Sequence, residues 1–259
     1  MSELEQLLEL NKILLSERPQ YREQAAAFPL DTQSQWRLFR SLVNIREPEP
    51  IGREFLELQD RLLKKMIAGK GITGSDSLSP MQENICLWQG DITALQIDGI
   101  VNAANSGLTG CYCPCHGCID NAIHTFAGVQ LRLECADIMR RQGRPEPTGK
   151  AKITKAYNLP SRYVLHTVGP IVTGELTGKD CESLASCYQS CLELAELHQL
   201  RSIAFCCIST GEFHFPNREA AEIAVGTVKA YLAAHRGISV VFNVFKDEDY
   251  QIYQRLLSR

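Results

Sequence analysis

From Ile203 to Ile208 the chain reads Ile-Ala-Phe-Cys-Cys-Ile, six apolar residues without the alternation that a strand facing water on one side requires. Such a strand must be covered on both faces, which points to a parallel sheet between layers of helix. Short apolar runs also occur at 85–88, 97–101, 163–168 and 239–245, and they alternate with longer helical patterns around 119–142, 181–199, 217–235 and 247–257. Strand and helix in alternation define an α/β fold. In open sheets of this kind ligands bind at the carboxyl ends of the strands, so the residues that leave each apolar run are the first candidates for function.

Residues 1–80 follow a different rule, because their apolar residues recur at helical spacing and β-branched runs are absent. A first helix opens on the capping pair Ser2 and Glu5 and carries Leu4, Leu7, Leu8, Leu14 and Leu15; a second follows Asp31 and carries Trp36, Phe39, Leu42 and Val43. Arg46-Glu47-Pro48-Glu49-Pro50 ends it. A third helix carries Phe55, Leu58, Leu62 and Met66 and is expected to stop at Gly69 and Gly71, before a Gly/Ser/Thr-rich linker over 71–80. The organisation is therefore a helical extension, 1–80, and an α/β domain, 81–259.

The 27 Lys+Arg against 30 Asp+Glu leave a net charge of −3, without the positive excess that phosphate attraction needs, which argues against a nucleic-acid partner. The amino terminus is acidic where a secretory signal is basic, and no apolar stretch approaches the ~18 residues of a membrane span. No membrane association and a cytoplasmic location are expected. Eleven cysteines form an odd set, and Cys111, Cys113, Cys115 and Cys118 cluster around His116. In a chain without a secretory signal that cluster reads as a metal site rather than a disulfide framework. Soft thiolates with an imidazole select zinc. Spacing alone offers five donors and does not choose among them. Cys181, Cys187, Cys191, Cys206 and Cys207 read as small buried apolar residues.

Three other loops follow strand ends with residues that packing does not demand. Gly90-Asp91-Ile92-Thr93 places a carboxylate after the first run, Asn102-Ala103-Ala104-Asn105 places two amides after the second, and Ser209-Thr210-Gly211-Glu212-Phe213 makes a glycine-containing turn before a helix. The last has backbone N–H groups suited to a phosphate.

Together with the glycine-rich stretch ending Ile119-Asp120-Asn121-Ala122-Ile123-His124, these loops resemble, in order, the ligand loops of a macrodomain over roughly 85–257. Cys111, His116 and Cys118, in a Cys-x4-His-x-Cys pattern, resemble the zinc-dependent macrodomain subfamily, microbial ADP-ribosyl hydrolases with a helical amino-terminal extension. Cys113 and Cys115 are additional to that pattern. The resemblance implies a macrodomain-like three-layer α/β/α sandwich with an N-terminal helical extension. It implies ADP-ribose as ligand, with Asp91 accepting from the adenine amino group, Ile92 giving a backbone contact and Phe245 stacking on the base. Ser209, Thr210, Gly211 and Glu212 would hold the pyrophosphate and Phe213 would cover the distal ribose. Asn105 would face that ribose as a catalytic residue, with Asp120 positioning or deprotonating water, and Zn2+ on Cys111, His116 and Cys118 beside the scissile bond. The implied activity is hydrolysis of mono-ADP-ribose from aspartate or glutamate side chains of a modified protein, with a lipoate-pathway carrier protein as candidate partner. The alternative is a non-catalytic ADP-ribose reader with structural zinc; a metal, an asparagine and a carboxylate converging on the leaving bond favour the enzyme.

Overall fold

The computed structural model describes residues 1–258. It begins with four helices, α1 (Glu3–Glu17), a short α2 (Arg22–Ala26), α3 (Thr32–Ile45) and α4 (Arg53–Lys70). Ser2 and Glu5 close the start of α1 reciprocally, and Asp31 caps α3 by accepting the Ser34 N–H at 2.8 Å. The five residues of α2 are too few to show a period, so nothing in the sequence announces them. Helix α4 runs through Gly69 and ends at Lys70, one residue before Gly71.

Residues 71–80 are stitched to the α/β domain rather than free. Strand β1 (Thr73–Gly74) pairs in parallel with β4 (Leu95–Gln96), and β2 (Pro80–Gln82) opens the main sheet beside β3 (Ile85–Gln89). The other strands are β5 (Gly99–Ala103), β6 (Ala151–Lys155), β7 (Tyr163–Thr167), β8 (Ser202–Phe205) and β9 (Ser239–Val244). The main sheet has the order β2-β3-β9-β8-β5-β7-β6, with β3, β9, β8, β5 and β7 mutually parallel and antiparallel strands at both edges. The apolar run at 97–101 becomes a strand two residues further on, because Leu95 and Gln96 are taken by β1. Strand β6 has no all-apolar run, since Lys152 and Lys155 suit an edge with one wet face.

The helices are α5 (Ile119–Ala127), α6 (Val129–Gln142), α7 (Gly178–Leu197), α8 (Asn217–Ala234) and α9 (Asp247–Leu257). The single helical pattern at 119–142 is two helices, broken at Gly128. That residue has φ +95°, and a Cβ there would stand 2.6 Å from the side-chain amides of Gln59 and Gln130. Helices α7, α8 and α9 pack successively on one another, while α5 and α6 form a separate pair against β5 and β6, giving the mixed sheet flanked by helices that defines the fold.

Two cores meet across α5 and α6. One is the sheet core, with Ile100, Val101, Leu165, Ile203 and Phe242 fully buried; the other is the helical core around Leu7, Leu10, Phe39 and Leu62. Val129 of α6 belongs to the helical core, and Phe126 packs against both. The buried Arg132 adds a polar tie, its Nη1 donating to the carbonyls of Val43, Asn44 and Arg46 at 3.0, 2.8 and 2.6 Å. These carbonyls close the C-terminal end of α3, where a cation is favoured. Arg132→Ala is expected to lower the unfolding free energy by about 2–4 kcal/mol, from lost charge-assisted bonds and orphaned carbonyls. Urea unfolding of parent and variant measures this, and an unchanged midpoint would show that the tie contributes nothing.

Candidate active site

Because the five central strands are parallel, the segments that follow them emerge along one edge of the sheet. Gln89 of β3 pairs with Val244 of β9, so Asp91 and Phe245 leave neighbouring strand ends. Phe245 is 77% exposed, while Gln89 Nε2 donates to its carbonyl at 3.3 Å. Asp91 Oδ1 accepts the Thr93 N–H and hydroxyl at 2.9 and 2.6 Å. Its Oδ2 accepts from Lys70 Nζ, at the end of α4, at 2.7 Å. Burial pushes this carboxyl up, but Lys70 and Thr93 together outweigh it and hold the pKa below the ordinary carboxylate value. Lys70 also lies 3.2 Å from the centroid of the Phe126 ring. Ile92 is buried, backbone included.

The segment after β5 carries the two asparagines to different destinations. Asn102 is buried; its Nδ2 donates to Asp120 Oδ1 at 2.7 Å and lies 3.2 Å from His166 Nδ1 on the adjacent strand. His166 Nε2 is 2.9 Å from the Thr154 hydroxyl, so both ring nitrogens are partnered. Asn105 sits further out. Its Nδ2 donates to the Gly110 carbonyl at 3.0 Å and its Oδ1 accepts the Gly107 N–H at 2.9 Å, which fixes the amide and leaves one N–H and one lone pair free. Gly110 has φ +86°, and a Cβ there would lie 2.8 Å from the His124 ring. Only 7% of the Asp120 side chain is exposed. Burial pushes its carboxyl up to about 6, with the Asn102 bond and the nearby Arg132 charge limiting the rise.

Between Asn105 and Asp120 lies the cysteine cluster. One atom each from Cys111, His116 and Cys118 lie within 4.8 Å of one another, and Cys111 Sγ is 3.7 Å from His116 Nδ1. The two additional thiols are elsewhere: Cys113 is exposed, and Cys115 Sγ turns to α3, 3.3 Å from the Ser41 hydroxyl and 3.5 Å from the Arg37 carbonyl. Two sulfurs and an imidazole at this spacing are a donor set that fits a tetrahedral soft-ligand metal such as zinc, with a fourth position left for a non-protein ligand. His116 Nε2 lies 3.5 Å from Glu212 Oε1, the arrangement in which an outer carboxylate orients a ligating ring.

Glu212 belongs to the turn after β8. Ser209 has φ +65° and accepts the Phe215 N–H on its carbonyl at 3.0 Å; its hydroxyl is buried, with no partner among the described residues. Thr210 Oγ1 donates to the Cys207 carbonyl at 3.2 Å. A Cβ on Gly211 would meet nothing within 4 Å, so this part of the turn faces open space. The Phe213 carbonyl accepts the Val172 N–H at 2.9 Å, tying the turn to the segment after β7. The loop residues singled out from the sequence thus leave the carboxyl ends of parallel strands at one edge of the sheet. Lys70, His166 and the α3 residues around Cys115 were not singled out, because each occupies an ordinary position in a helical or strand pattern.

A Macro domain profile matches residues 101–224. A protein-ADP-ribose hydrolase of Treponema medium is 52% identical over 263 residues, covering 100% of both chains. A protein-ADP-ribose hydrolase of Staphylococcus aureus (strain MSSA476) is 51% identical over 234 residues, covering 89% of this chain and 88% of its own. The crystal structure of a Trypanosoma brucei macrodomain in complex with ADP-ribose superposes with a TM-score of 0.66 at 32% identity, over 84% of this chain and 94% of its own. The chain belongs to the macrodomain family, among relatives named as protein-ADP-ribose hydrolases.

The buried network beneath the site has a pH consequence. Burial lowers the His166 pKa to about 3, so the folded protein keeps this ring neutral while the unfolded chain binds a proton below about pH 6.5. Stability from this group is present above the unfolded value and is lost as pH falls toward the folded one. His166→Gln is expected to be less stable than the parent at pH 7, with the gap narrowing by about 2–3 kcal/mol by pH 4.5. Urea unfolding at both pH values measures it; a gap independent of pH would mean that the ring is not held neutral.

Proposed function

We propose that this protein is a zinc-dependent hydrolase that removes mono-ADP-ribose from modified protein side chains, with aspartate and glutamate esters as the linkage. Full-length similarity to relatives named protein-ADP-ribose hydrolases supports the activity in its general form. The observation that carries the finer reading is the convergence of Cys111, His116 and Cys118 on the one loop that runs from Asn105 to Asp120.

The ligand would lie along the carboxyl edge with adenine at the β3–β9 end. Three of the roughly four lone-pair positions of Asp91 are used by Thr93 and Lys70, which leaves one for the adenine amino group, and the exposed Phe245 ring offers a stacking face. The backbone of 209–213 would receive the pyrophosphate, with Phe213 over the distal ribose. Asn105 would offer its free N–H and lone pair to that ribose in an orientation already set by Gly107 and Gly110.

The bond that breaks joins the anomeric carbon of the distal ribose to the side-chain carboxyl oxygen. Water supplies the hydroxyl to the carbon and the proton to the departing carboxyl group. Asp120, aligned by Asn102, is assigned the positioning of that water. Cys111, His116 and Cys118 would hold the zinc, with Glu212 orienting His116. When bound, zinc supplies a Lewis acid that stabilises the negative charge developing on oxygen. A lipoate-pathway carrier protein is the first modified substrate to assay, and a cytoplasmic location goes with that role.

Groups that touch adenine and pyrophosphate act equally on bound substrate and transition state, whereas groups at the distal ribose act on charge and geometry that arise only as the bond breaks. Asp91→Ala is therefore expected to weaken ADP-ribose binding by about ten- to a hundredfold, the loss of a charge-assisted hydrogen bond. Asn105→Ala and removal of zinc should each reduce single-turnover release from an ester-linked substrate far more than they reduce affinity. Calorimetry and single-turnover kinetics on the same preparations test this. If the parent releases nothing, or if rate falls only in step with affinity, the protein is a reader of ADP-ribose.

A further inference from the structure

We propose that the helical unit is a working part of the metal site, with Arg40 of α3 as the positioning residue that holds the ligand loop in its metal-binding shape. This rests on the reading that Cys111, His116 and Cys118 hold zinc.

The donors lie on a segment without helix or strand between β5 and α5, and its backbone is bent at unusual places. Leu108 and Cys115 have φ of +57° and +53°, conformations that non-glycine residues adopt only when the surroundings impose them. An unrestrained segment of this kind would bring three donors together only at the cost of its own conformational entropy. Restraint comes from α3. The half-buried Arg40 guanidinium donates from Nη2 to the His116 carbonyl at 2.7 Å, and from Nη2 and Nε to Asn121 Oδ1 at 2.7 and 3.2 Å. Asn121 is fully buried and passes the restraint on. Its Nδ2 donates to the Cys113 carbonyl at 3.0 Å, and its backbone N–H points at Cys118 Sγ at 3.4 Å. One turn further along α3, Asn44 Oδ1 accepts the Cys115 N–H at 2.9 Å.

One of the three donors is thus fixed directly by the helical unit, His116 through its own carbonyl, while Cys118 is held by its own capping bond to the first turn of α5, whose Asn121 side chain Arg40 grips. Cys115 has a part in the same brace, as an anchor to α3. The planar fork of arginine reaches a backbone carbonyl and a side-chain amide at once; a lysine ammonium reaches one or the other without fixed direction. Docking of the helical unit alone would not need this fork, since Arg132 ties α3 to α6 from the other side. Partners one bond removed from a metal typically set its affinity by roughly 10–100-fold, because a preformed donor set has less order to lose on binding.

The test is zinc affinity of the full chain by competition with a chromophoric chelator, for the parent, Arg40→Ala, Arg40→Lys and the exposed control Arg53→Ala. Urea midpoints and ADP-ribose affinity are measured on the same preparations. Arg40→Ala is expected to bind zinc roughly 10–100-fold more weakly with ADP-ribose affinity unchanged, Arg40→Lys to fall between, and Arg53→Ala to match the parent. If Arg40→Ala does not fold, Arg40→Lys decides alone. A folded Arg40 variant with parental zinc affinity overturns the brace and leaves the zinc reading standing. A parent that binds no zinc overturns the zinc reading, and the brace with it.

Discussion

Four parallel strands buried on both faces, β5, β7, β8 and β9, are the constraint on which the rest of the molecule depends. Ile203–Phe205 and Ile100–Val101 have no solvent-facing side, so helices must cover both, and each crossover returns the chain to start the next strand in the same direction. As a result the segments after β3, β5, β7, β8 and β9 share one edge. Residues as far apart in sequence as Asp91, Asn105, Glu212 and Phe245 all follow strand ends on one edge of the sheet because of strand direction. The side chains then need only local restraint, which Asn105 finds within its own loop and Asp91 finds in Thr93.

The helical unit adds what the sheet cannot. Lys70 brings a cation to Asp91, and Arg40 and Asn44 bring donors and acceptors to the cysteine loop. These are charge-assisted or buried hydrogen bonds, stronger than exposed contacts and costly to leave unmade. Beside them the cores of the two units run together at Phe126 and Val129, and Thr73–Gly74 pair with β4. The edge proposed to hold the ligand is built by both units.

The repeating features were legible in the sequence. Near-complete burial wrote itself into Ile203–Ile208, the capping pair Ser2 and Glu5 marked the start of α1, and the clustered soft donors marked the loop on which Cys111, His116 and Cys118 converge. What escaped had no period or had an ordinary one. Strand β6 lies at an edge where lysines are tolerated, and α2 is too short to repeat. The break at Gly128 hides inside a continuous apolar stripe. Arg40 and Lys70 look like solvent-facing positions on amphipathic helices, and only tertiary placement turns them inward. Cys113 and Cys115 could not be told from Cys111 and Cys118 by spacing, because the backbone reversal at Cys115 that sends its sulfur to α3 has no sequence mark beyond Pro114.

The central claim is that one loop carries a metal to the distal-ribose end of an ADP-ribose groove. The most direct measurement is a crystal structure of the ADP-ribose complex with anomalous data collected at the zinc edge. A single anomalous peak bounded by Cys111 Sγ, His116 Nδ1 and Cys118 Sγ is expected, with adenine beside Asp91 and Phe245 and the distal ribose at Asn105. A peak on Cys113 or Cys115, no peak in zinc-supplemented crystals, or a ligand lying with adenine at Asn105 would contradict it.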